Sequence, residues 1–180
     1  MKTAKYELLN NDTKNVFGKK LYRIRALVGN GLNVSAGQLG GYVEAEKNLS
    51  VSGDAWVSGD AQVFGDAWVF GDAWVSGNAQ VSGNAQVSGN AQVSGNARVS
   101  GDAQVCERKS IFWATNVGSE NGTLTVYKSK DGLLVTRGCF IGTPEEFIAK
   151  SAKMHNEETH WEYKLLLLVA ENRINKGGQK

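Results

Sequence analysis

The sequence predicts a mainly β protein: a parallel β-helix set between a strand-containing N-terminal cap and a small α+β C-terminal cap. Three observations predict it. Glycine is abundant and proline nearly absent, 22 against 1 in 180 residues. Nine of those glycines fall between residues 51 and 105, one every six positions. From Val51 the chain reads VSGDAW VSGDAQ VFGDAW VFGDAW VSGNAQ VSGNAQ VSGNAQ VSGNAR VSGDAQ, and Val returns at 105. A period of six fits neither the 3.6 of a helix nor a heptad. Ala and Val stand two apart in every hexad, which puts both on one face of a strand.

Each hexad is therefore one short strand and one corner. The residues flanking Val point outward, and Gly followed by Asp or Asn makes a turn that tolerates positive φ. Three hexads close a triangular coil of 18 residues, and stacked coils bury the Val and Ala ladders. A single coil has no core, so stability accumulates along the stack. LGGYVE and AEKNLS ahead of the repeat keep apolar residues in register at Leu39, Val43, Ala45 and Leu49, which adds most of a fourth coil. At roughly 4.8 Å per stacked strand the prism is about 15–20 Å long.

The domain plan is an N-terminal cap over residues 1–38, the β-helix over 39–105 and a βββαα unit over 106–180. In the first part KLYRIRALV, residues 20–28, alternates Tyr22, Ile24, Ala26 and Val28 with Arg23 and Arg25, a half-exposed strand entered through a turn at Gly18. In the last part Ile111–Val117, Thr123–Lys128 and Leu133–Phe140 read as strands around Asn121-Gly122 and Asp131-Gly132 turns. Thr143-Pro144-Glu145-Glu146 opens a helix running to about Lys153: Thr as N-cap, Pro at the first position, carboxylates at the positive dipole end. A second helix covers Thr159–Asn175 and stops before Gly177-Gly178. This unit is expected to close the open end of the prism against edge-on pairing.

Composition narrows the function. The chain is 41% hydrophobic and 21% charged, within the globular range, and its net charge is +2. That balance argues against a strongly basic nucleic-acid binder and against an acidic nucleic-acid mimic. Charge alternates along the chain: basic excess before residue 51, five Asp and one Arg through the repeat, a slight basic excess after it. Such self-complementarity suits packing or assembly. Cys106 and Cys139 are too few for a disulfide framework, the first residues lack an apolar signal core, and the aliphatic run Leu165–Ala170 is too short to span a bilayer. The expectation is a cytoplasmic protein with no membrane partner.

Residues 18 apart stack, so the outward positions sort into three faces. One carries Trp56, Trp74 and Gln92; a second Phe64, Gln80 and Arg98; the third Trp68 with Phe70, then Gln86 and Gln104. The aromatics thus gather in the first two coils, and each ring covers roughly 150–250 Å² when buried. Trp56, Trp74, Trp68, Phe64 and Phe70, with Arg23, Arg25 and Arg98, form the candidate binding surface. Either the chain's own N-terminal segment or a sister subunit covers the rings, or they bind another molecule. The corners align as Asp54–Asp72–Asn90, Asp60–Asn78–Asn96 and Asp66–Asn84–Asp102. Only Asp54 and Asp72 stack carboxylate on carboxylate, so the ladders read as turn chemistry, and no metal or other cofactor is assigned.

The aliphatic–x–x–x–small–x pattern resembles the hexapeptide-repeat family. The resemblance implies a left-handed coil and a homotrimer about the prism axis. Beyond the repeat, YRIRAL, AGQLGGYVE, NLS and GTLTVYKSKDGLLVTRGCFIGTPEEF resemble a class of phage- and prophage-encoded hexapeptide-repeat proteins, over nearly the whole chain. This implies a viral or prophage origin, in a bacterial host, and transfers no catalytic motif.

Acyltransferases of the hexapeptide-repeat type place a general-base imidazole beside the coils. Here the histidines are His155 and His160, both at the junction of the C-terminal helices, and β-helix zinc enzymes need three. No Walker loop, CxxC pair or nucleophile constellation accompanies them. Three readings follow. The first is a non-enzymatic phage interaction protein that binds a host or phage macromolecule and inhibits host defence. The second is a module that sequesters a small anionic, nucleotide-like ligand between subunits. The third is an acyltransferase-like enzyme using His155 or His160.

Overall fold

A computed structural model of the chain describes residues 4–31 and 33–175. A β-hairpin comes first, β1 (Tyr6–Val16) and β2 (Lys19–Ala26), followed by β3 (Leu39–Val43). Nine two-residue rungs follow: β4 (Trp56–Val57), β5 (Gln62–Val63), β6 (Trp68–Val69), β7 (Trp74–Val75), β8 (Gln80–Val81), β9 (Gln86–Val87), β10 (Gln92–Val93), β11 (Arg98–Val99) and β12 (Gln104–Val105). The C-terminal part has β13 (Ile111–Val117), β14 (Gly122–Ser129), β15 (Gly132–Arg137), β16 (Phe140–Gly142), α1 (Pro144–Met154) and α2 (Glu157–Asn175). The stop expected at Gly177-Gly178 lies outside the described residues.

The rungs stack in parallel at the 18-residue spacing, in three sheets that form the sides of the prism. Every Ala and Val of these rungs, from Ala55 and Val57 to Ala103 and Val105, is buried inside, and each Val so buried contributes about 1.5–3 kcal/mol. The nine corner glycines all hold φ between +55° and +73°, which a Cβ would strain. On the corners, Asn84 Nδ2 donates to Asp102 Oδ1 at 2.9 Å and Asn78 Nδ2 to Asn96 Oδ1 at 3.3 Å.

The first coil departs from the strict hexad. Val43 pairs with Val63 and Leu49 with Val69, 20 residues apart where the repeat predicts 18. Leu49 and not Val51 fills the inward position; Val51 stands 42% exposed, and Leu39 is exposed as well. Leu49 ends its side of the prism, with no rung beyond it among the described residues, so two extra residues before the Gly53 corner disturb no stacked pair.

The N-terminal segment also contains a strand, β1, whose sequence does not alternate. β1 pairs with β2 through a turn at Phe17-Gly18, with a bulge between Leu9 and Thr13 that breaks its period of two. β2 pairs with β3 and β3 with β5, so the hairpin extends one side of the prism as a six-stranded sheet, β1-β2-β3-β5-β8-β11. Gly40 and Gly41 permit that crossing: a Cβ on either would sit 2.6 Å from a carbonyl oxygen, of Val57 or Ala61.

Both ends of the stack are sealed by groups that take the place of a missing coil. At the N-terminal end, carbonyls that would meet a further rung's N–H groups find substitutes. On the β3 side the first coil still supplies a regular rung, with Tyr42 N–H donating to Ala61 O at 2.8 Å; the other two sides use side chains. The buried Asn48 amide donates to Gly65 O and Ala67 O, and the buried Lys5 ammonium donates to Gly53 O and Ala55 O. At the C-terminal end hydroxyls of the sheet β13-β14-β15-β16 complete the last coil. Thr125 Oγ1 accepts from Arg98 N–H, Tyr127 Oη accepts from Ser100 N–H, and Thr136 Oγ1 donates to Arg98 O. Alternation splits this sheet: Ile111 and Tyr127 enter the prism core, while Leu124, Val126 and Val135 pack under Phe147, Tyr163 and Leu167 of the helices. The layers are prism, sheet, helices.

Thr143 caps α1 in a full capping box with Glu146 and Pro144 at the first position, as the sequence predicts. The run Leu133–Phe140, expected as one strand, is two: a turn at Gly138-Cys139 brings Phe140 back against Arg137, with Gly138 at φ +59°.

Candidate functional site

The three faces carry the residues the 18-residue spacing assigns to them, and for part of the aromatic set the first of the alternatives left open by the sequence holds: the chain's own N-terminal segment covers the rings. Trp56 is stacked beside Trp74 across β4 and β7. It is only 1% exposed, packed in one cluster with Tyr6, Ile24, Ala26 and Val34 of the N-terminal segment. Phe64 is likewise buried, against Leu21 and Tyr42. Trp56 presents no open surface, and Phe64 keeps only an edge on the cleft beside Arg98. Trp74 is half-buried at the edge of the same core.

Two of the three arginines are engaged within the chain. Arg23 spans the hairpin: its guanidinium donates to Gly40 O and Tyr42 Oη, pairs with Asp12 at 2.8 Å, and lies 4.5 Å from the Tyr42 ring centroid. Arg25 pairs with Glu7 at 2.6 Å. Both read as strand charges neutralised by neighbours rather than as an anion clamp. Arg98 differs. It is exposed, donates once to Gly138 O, and lines a cleft of about 320 Å³ with Phe17, Phe64, Gln80 and Phe140. The tips of the β1–β2 and β15–β16 hairpins form the walls of that cleft.

The remaining aromatics lie on the third face, β6-β9-β12, which the N-terminal hairpin does not join. Here Trp68 stacks on Phe70 with ring centroids 4.0 Å apart and planes 22° from parallel. Trp68 stays 42% exposed, and Gln86 and Gln104 stand exposed above it. A pre-stacked pair loses little side-chain freedom on contact and offers apolar area.

Electrostatics around the first coil fasten the cap. Burial pushes the Lys5 ammonium below its ordinary value, an effect opposed by the charges of Asp54 and Asp72. Lys19 and the Gly65 N–H hold the Glu44 carboxyl below its usual range. Lys14 does the same for Asp60, and Lys47 for Asp66. Among the described residues no group of three or more His, Cys, Asp or Glu is placed to hold a metal ion.

The histidines lie on the helix side of the C-terminal sheet. His155 caps α1 and meets the Tyr163 ring edge-on, and His160 Nδ1 is 3.2 Å from Ser151 Oγ. The sheet separates both from the coils of their own chain. Cys106 and Cys139 are exposed free thiols. No helix among the described residues is long and apolar enough to cross a membrane.

Three stretches, residues 61–77, 79–93 and 91–107, match the family model described as the YdcK beta solenoid repeat. No curated protein matches the chain. The matched stretches are the stacked rungs themselves, so repeat pattern and three-dimensional structure agree: this is a repeat β-helix, or β-solenoid, protein.

Proposed function

We propose that this chain is a non-enzymatic interaction scaffold of phage origin that presents the β6-β9-β12 face to a host or phage macromolecule. The observation that carries the reading is the Trp68–Phe70 stack. The chain buries Trp56 and Phe64 with its own N-terminal segment yet leaves Trp68, backed by the half-buried Phe70, open on a rigid face. A rigid scaffold spends little ordering entropy on association, so a small aromatic anchor gives useful affinity. The resemblance to phage and prophage hexapeptide-repeat proteins supports a homotrimer acting in the cytoplasm of a bacterial host, with inhibition of host defence as its role.

Affinity capture from bacterial lysate tests the reading, comparing the parent, Trp68→Ala with Phe70→Ala, and Gln92→Ala as a control on another face. The expected result is a stoichiometric partner retained by parent and control and lost by the aromatic variant. Equal retention by all three overturns it.

The cleft at Arg98 favours a second reading, capture of a small anionic aromatic ligand. Arg98 supplies the cation there, and Phe17 and Phe140 the stacking surfaces. Mass spectrometry of ligand released by denaturing the purified protein tests it: a nucleotide-like anion lost in Arg98→Ala supports it, and its absence from the parent overturns it.

A further inference from the structure

We infer that α2 is a self-association element, which packs antiparallel against α2 of a second copy of this chain. The inference rests on a surface distinct from the β6-β9-β12 face. One side of α2 is accounted for: Tyr163, Leu167, Ala170 and Ile174 are buried against the C-terminal sheet. The opposite side carries a second apolar stripe. Trp161 is 60% exposed, Leu165 49%, Leu168 64% and Val169 47%. Trp161, Leu165, Leu168 and Asn172 are spaced four, three and four apart, the alternation that lets two helices mesh side chains along a seam. A helix that served only to cover the sheet would carry polar residues there.

Charge selects the partner and its direction. The N-terminal end of α2 exposes Glu157 and Glu158, and its C-terminal end exposes Arg173. Setting Leu165 opposite Leu168 of an antiparallel copy brings Trp161 opposite Asn172. It also brings the Glu157–Glu158 end level with Arg173, and Lys164 within about 3 Å along the axis of Glu171. Each pair occurs twice across the two-fold axis. A parallel copy would instead place Glu158 against Glu158 and align the helix dipoles unfavourably. The helix chemistry is therefore complementary to itself in one orientation. Because the helices form the layer farthest from the prism, the pairing joins two chains cap to cap with their prisms pointing away.

The seam is modest. A 19-residue helix is about 28 Å long, and one helix face of that length falls below the roughly 800 Å² per partner of a stable interface. Association in the micromolar range is the corresponding expectation.

Sedimentation velocity of the full chain, from about 2 to 200 µM, tests the inference. The parent is expected to double its mass across the range, whatever assembly the prism itself forms. Leu165→Lys with Leu168→Lys should hold the lower mass throughout, with an unchanged thermal melt. Lys164→Glu should weaken association several-fold, and Lys164→Glu with Glu171→Lys should restore it. The charge exchange stands as a test even where the leucine variant fails to fold. A parent of constant mass, a folded leucine variant that associates like the parent, or a charge exchange without rescue overturns the inference.

Discussion

Lys5 Nζ lies 2.6 Å from the Ala55 carbonyl oxygen, where the carbonyls of later coils receive a backbone N–H, as Ala73 O does from Trp56. A side-chain cation thus replaces one rung's donors at the end of the stack. Lys5→Met keeps the aliphatic stem and removes the donor, leaving the Gly53 and Ala55 carbonyls without their Lys5 bonds. The expected cost is about 1–3 kcal/mol, read from the urea midpoint, and Asn48→Ala should cost a comparable amount at the neighbouring corner. An unchanged midpoint for both would mean that solvent serves these carbonyls equally well.

Tyr127 performs the corresponding task at the other end, where its hydroxyl accepts from Ser100 N–H and donates to Ser100 O. Tyr127→Phe removes only those bonds and should cost about 0.5–1.5 kcal/mol. Tyr127→Ala also opens a cavity beneath the prism core, and about 3–5 kcal/mol is expected. Thermal melts of the two variants should therefore differ clearly; equal losses would contradict the placement of the ring inside the core.

Trp56 and Trp68 occupy the same position of the hexad with opposite fates. Trp56→Ala should cost about 3–5 kcal/mol. Trp68→Ala, at a half-open site, should stay within about 1 kcal/mol of the parent. Comparable destabilisation by the two would show that the third face is packed against something within the chain.

Acid should loosen the N-terminal segment first. Glu44, Asp60 and Asp66 have folded values below their ordinary 4.5 and 3.8, held there chiefly by Lys19, Lys14 and Lys47. In each case the unfolded chain takes up protons at higher pH than the folded one. The stabilisation is complete above the unfolded values and is lost as pH falls through the folded ones. The urea midpoint should drop between about pH 5 and pH 3, and Glu44→Gln should flatten part of that drop. A midpoint independent of pH in this window would contradict the three pairs.

The sequence made the regular parts of this fold plain and hid its irregular parts. A six-residue period states its own geometry, so the three faces, the corners and the stacked pairs follow from counting alone. The capping box at Thr143 is equally local. What escaped depends on interactions distant in sequence. The β1 alternation is broken by a bulge, and its partner strand is the stronger signal. The exposure of Val51 follows from a two-residue insertion that a match to the hexad conceals. Burial of Trp56 and the engagement of Arg23 required knowing where the N-terminal hairpin lies. The roles of Lys5 and Asn48 exist only because a stack has an end, a property of the assembled prism and of no single hexad.

The proposed function requires that the Trp68–Phe70 face serve a partner other than a copy of this chain. Native mass spectrometry of the purified parent beside Trp68→Ala with Phe70→Ala separates the two possibilities, because one spectrum reports copy number and retained molecules together. The expected result is the same number of copies in both proteins, with a bound molecule captured by the parent alone. Loss of copies in the variant would contradict it and make the aromatic stack an assembly seam.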